Sequence, residues 1–174
     1  MQAPTLIRLS AAAAIVAGTL RIGSAFLGAR LGTTAAELLY LVIDTGFVLA
    51  ILGAYLSRHV QLGIAGFVGF LLALCAAASI VGPDGELAGV QMYRVGGGVL
   101  VLGLGILGAA QLRLGAQRLG SSIGWLAALV ATIAAAASEA PWLFTLVGVL
   151  FGLAFIASGR ELLNETRATG ERDT

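Results

Sequence analysis

Lysine is missing from this chain: all ten of its basic residues are arginines. That excludes every chemistry built on a lysine amine, including a retinal-type Schiff base and the phosphate-binding lysine of a P-loop. Cysteine and histidine occur once each, as Cys75 and His59. One thiol and one imidazole exclude an intrachain disulfide, a C-x-x-C redox pair, a Cys/His zinc site and bis-histidine haem ligation. Charge is scarce as well, at 11% of residues, where soluble domains carry about a quarter. A formal net charge of +1 provides no basic surface for nucleic acid. The chain also has no H-E-x-x-H pair. No residue pattern therefore indicates a reaction, a metal or a cofactor.

What fills the chain instead is apolar residues, 59% of the 174. A soluble fold of this length could bury one core but could not hide that much apolar surface. The partner that composition implies is a lipid bilayer. Six runs approach the ~20 residues a helix needs to cross hydrocarbon: Leu6–Gly28, Thr34–Leu56, Leu62–Val81, Leu87–Gln111, Ser122–Ser138 and Pro141–Ser158. The sequence thus predicts an all-α membrane protein, a bundle of six transmembrane helices in one domain over 1–159. A charged cytoplasmic tail follows over 160–174. Gly82-Pro83-Asp84-Gly85 has the chemistry of a turn, and Pro141 suits the first turn of the last helix.

Arg8, Arg58, Arg113, Arg118, Arg160 and Arg167 fall on one side of such a bundle; Arg30, Asp84, Glu86 and Glu139 fall on the other. By the positive-inside rule both termini are cytoplasmic. Heavy use of Ala, Gly and Arg suggests a GC-rich bacterial genome, and with it the bacterial inner membrane. A rival reading makes Arg8, the apolar run Leu9–Leu20 and Gly23-Ser24-Ala25 a signal peptide cleaved after Ala25. Cleavage would leave an odd number of spans and remove Arg21, a cation the second span needs.

That need comes from the stretch Glu37–Tyr55, which is long enough to span yet carries Glu37 near one end and Asp44 near its middle. Seven residues apart on a 3.6-residue helix, the two acids share a face, with Tyr40 between them. An ionised carboxylate in hydrocarbon costs at least a few kcal/mol unless it meets protein, water or a cation. Depth along the spans puts Arg21 and Arg94 in the same leaflet half as Glu37 and Asp44, two cations against two acids. Gln91 shares a face with Arg94, and Glu139 closes the fifth span at the same boundary. Trp125 and Thr132, spaced by sevens from Glu139, face the same interior. The candidate cluster is therefore Arg21, Glu37, Tyr40, Asp44, Gln91, Arg94 and Glu139, with Asp44 expected within salt-bridge reach of Arg21 or Arg94.

Small residues flank both arginines: Ala14, Gly18, Ala25 and Gly28 beside Arg21, and Gly98, Gly105 and Gly108 beside Arg94. Gly148 and Gly152 form another such pair. These stripes suit close helix packing. Cys75, midway along the third span, reads as a small apolar packer. Three functions fit the cluster, the weakest being a membrane enzyme that acts on a lipid; the other two are more specific. One is a site opening outward that binds or transports a small polar solute or protons. The other is a structural or accessory protein whose ion pairs only fix helix packing and whose working surface meets a partner membrane protein. The gathering of the charges in one leaflet half favours a site.

Overall fold

The computed structural model describes residues 3–27, 30–81, 86–87, 90–115, 119–138 and 140–170; for 3–4, 86–87, 90–94, 141 and 168–170 it describes the backbone alone. Six helices are long and apolar enough to cross a membrane: α1 (Ala3–Leu27), α2 (Thr33–Leu56), α3 (His59–Ile80), α4 (Met92–Leu112), α5 (Leu119–Ala137) and α6 (Pro141–Gly170). Between α3 and α4, β1 (Glu86–Leu87) and β2 (Val90–Gln91) pair antiparallel as a two-rung hairpin. Each helix packs antiparallel on its neighbours in sequence, and α6 closes the circle against α1, which sits in the groove between α2 and α6. The end of the bundle where α1 stops and α2 starts is called upper below.

Glycine and alanine make the ring tight. A Cβ on Gly152 would stand 2.6 Å from the Gly18 carbonyl oxygen, and one on Gly159 equally close to that of Ala11. Gly69 and Gly103 cross α3 on α4 in the same way, each within 2.8 Å of the other's carbonyl oxygen once a Cβ is added. Small residues let backbones touch, and dispersion over a long contact replaces the hydrophobic drive that lipid does not supply. The core inside the ring is aromatic at mid-height. Phe47 stacks on Phe155 at 4.2 Å between centroids and meets Phe151 edge-on at 5.2 Å, with fully buried Trp125 against Phe155. The outside of the ring is apolar too: Val60, Ile64, Val130 and Ile133 are among the most exposed side chains. A surface of that kind matches lipid.

Three features depart most from the sequence expectation. The fourth span begins at Met92, not Leu87, because the chain forms the hairpin first. Arg94 consequently sits in the first turn of α4. The third helix is broken by Gly63, whose φ of 60° takes the left-handed conformation only glycine adopts cheaply. The last helix does not stop at Ser158 but runs on to Gly170. Two contacts hold that extension. Glu161 accepts hydrogen bonds from the Ser121 N–H and hydroxyl, capping the N-terminus of α5 from a neighbouring helix. Glu165 forms an ion pair with Arg58, between α2 and α3. Leu162 between them is fully buried.

Candidate functional site

The upper half of the ring is not filled. Side chains from all six helices enclose a cavity of about 400 Å³, within the roughly 300–1,000 Å³ range of small-molecule sites. α1 contributes Arg21, α2 contributes Tyr40 and Asp44, and α5 contributes Thr132; the remaining wall, among the described residues, is aliphatic, aromatic and glycine. The space exists for two reasons. Gly97 and Gly98 of α4 line it, and a Cβ on either would meet nothing within 4 Å. Beneath, the ring pair Phe47 and Phe151 forms the floor and separates the cavity from the packed lower half.

Asp44 reaches this wall because α2 turns one continuous stripe inward, with Ile43, Asp44, Phe47, Ala50 and Ile51 all buried. Only 5% of the Asp44 surface is exposed. Arg21 is half-buried and is held from two sides. Its Nη1 donates to the Ser24 hydroxyl at 3.3 Å, while that hydroxyl donates to the Arg21 carbonyl at 2.8 Å. Its guanidinium lies over Gly148 of α6, where a Cβ would come within 3.4 Å of Nη2. The Gly148–Gly152 pair thus does two jobs: Gly152 admits the α1 backbone and Gly148 admits the arginine head. Thr132 donates its own hydroxyl proton to the Ala128 carbonyl at 2.7 Å. Its oxygen lone pairs remain able to accept.

Of the seven residues the sequence singles out, Arg21, Tyr40 and Asp44 come together here. Glu37 does not join them: it is exposed, and no residue of α2 before Ile43 is buried. The heptad spacing is right, but the first turns of α2 stand above the level at which neighbouring helices cover it. Gln91 and Arg94 lie in β2 and at the start of α4 with only their backbones described, and Glu139 lies outside the described residues. The expected contact of Asp44 with Arg21 is not formed. They share one cavity, yet among the described residues no ion pair of 4.0 Å or less joins them. Asp44 has no hydrogen-bond partner among those residues either. Trp125, placed by its spacing on the interior face, is in the core below the floor, whereas Thr132 is in the wall. Cys75 is exposed on the outside of the ring and is not an interior packer. Glu161 was not anticipated, since its partner Ser121 is forty residues away in sequence.

Comparison with protein-family models, with curated proteins and with solved structures returned no match. The chemistry of the cavity therefore carries the functional argument by itself. A carboxylate and a guanidinium line one aromatic-floored space and form no ion pair with each other. Asp44 is buried and Arg21 half-buried, and among the described residues neither has an ion-pair partner, so a polar guest that contacts either one relieves a standing electrostatic cost.

Proposed function

We propose that this protein binds or transports a small polar solute through the upper cavity, which on the charge distribution of its loops opens to the outer face of a bacterial inner membrane. One observation supports this reading over scaffolding: Arg21 and Asp44 line the same cavity but do not contact each other. Charges that merely fix helix register are worth keeping only as tight, fully hydrogen-bonded pairs. The ion pair found among the described residues, Arg58 with Glu165, lies at the opposite end of the bundle, where it ties α6 to the α2–α3 turn. Structural locking is thus assigned to the lower end and recognition to the upper one. Protons are a second guest of the same kind, since Asp44 is an acid in the cavity wall.

Accessibility of the cavity from outside tests the proposal. In a Cys75→Ser background, Thr132→Cys should react with a membrane-impermeant maleimide added to intact cells, and a bulky cavity-filling Gly98→Leu change should suppress the reaction. Labelling that requires permeabilised cells would reverse the orientation. No labelling from either side would remove the solute-site reading and leave a scaffold.

A further inference from the structure

The arrangement of the two charges specifies the guest more narrowly. On α1 and α2, Ala17 abuts Gly46 and Ser10 abuts Gly53, so positions whose numbers sum to 63 lie side by side. Arg21 is therefore level with Val42, two residues from Asp44, an axial offset of about 3 Å. On α1 and α6, Gly18 abuts Gly152 and Ala11 abuts Gly159, a sum of 170. By these two registers the backbones of Asp44 and Phe151 are both level with Thr19, so the floor begins at the level from which the carboxylate projects.

A guest with one charge would satisfy one of these residues and leave the other uncompensated in a low-dielectric space. A guest whose opposite charges were far apart would not match two groups at almost one depth on adjacent helices. We propose that the cavity recognises an α-amino acid with an apolar side chain. Its carboxylate meets Arg21, its ammonium meets Asp44, and its side chain lies over Phe47 and Phe151 in the space left by Gly97 and Gly98. Such a guest brings both charges on neighbouring atoms, adds no net charge to the cavity, and turns its apolar part to an apolar floor. This inference rests on the upper cavity being a solute site.

The test uses the full chain in detergent, with phenylalanine and leucine as probes and binding read by calorimetry. Phenylalanine methyl ester keeps the ammonium only, and N-acetylphenylalanine keeps the carboxylate only. Each should bind at least about tenfold more weakly than phenylalanine, a loss of about 1.4 kcal/mol. Asp44→Asn and Arg21→Gln should each weaken phenylalanine by a similar factor while the ligand-free melting temperature shows that the fold is intact. Gly98→Leu should abolish binding. An ester or an N-acetyl derivative that binds as well as the zwitterion would overturn the amino-acid assignment and leave a single-charge solute site. Absence of binding by both amino acids would overturn it too, and the Thr132→Cys labelling then decides separately whether the cavity is a solute site at all.

Discussion

Asp44 is the residue on which the competing readings diverge most. Were it locked against an arginine, replacing it by Asn would strand a buried cation at a cost of roughly 3–5 kcal/mol. It has no contact with Arg21, and an uncharged amide is easier to bury than a carboxylate. We therefore expect Asp44→Asn to change unfolding stability in detergent by less than about 1 kcal/mol. A loss of several kcal/mol would return Asp44 to a structural role. Both Asp44 and Arg21 were legible in the sequence, because a charge in the middle of an apolar run has few physical solutions. Glu37 shows the limit of the same logic, since it is exposed. Helical periodicity gives the face a residue occupies but not how far up that face the neighbours reach, and at Glu37 they fall short. Glu161 looked like part of a soluble tail, since nothing in local sequence reveals that an α5 N-terminus waits for it.

Among the elements, α1 and α6 depend on each other through glycine. Gly152→Ala places a methyl group against the Gly18 carbonyl oxygen, which neither backbone can yield cheaply; the expected cost is about 1–3 kcal/mol. Gly23→Ala, on the same α1 but with nothing within 4 Å of its Cβ, should instead gain roughly 0.5–1 kcal/mol through helix propensity. Denaturation of the two variants side by side separates contact from propensity, and equal effects would refute the close crossing. Glycine stripes announced this pairing surface in the sequence, though not which helix would answer it. The start of α4 was less legible. Leu87 to Met92 continues an apolar run, and the hairpin of β1 and β2 rests on backbone pairing that composition does not signal.

As a whole molecule the chain is a ring of six apolar helices, and hydropathy was sufficient to count them because a span needs its full length of apolar residues. The cavity within was not legible: it arises from where Gly97, Gly98 and Gly148 happen to face, a matter of rotation and register. Reporter fusions at the two ends and in the loops should place both termini in the cytoplasm; a periplasmic amino terminus would refute the arginine-based orientation. Closure of the ring by α6 on α1 also has a consequence for biosynthesis. Gly18 meets Gly152, yet the ribosome, at roughly 5–20 residues per second, needs on the order of ten seconds to travel from one to the other. During that interval the glycine face of α1 has no mate, and the half-built ring gapes sideways with Asp44 turned towards whatever fills the gap. Only the arrival of the last helix closes that seam, so assembly of the ring is completed late in synthesis.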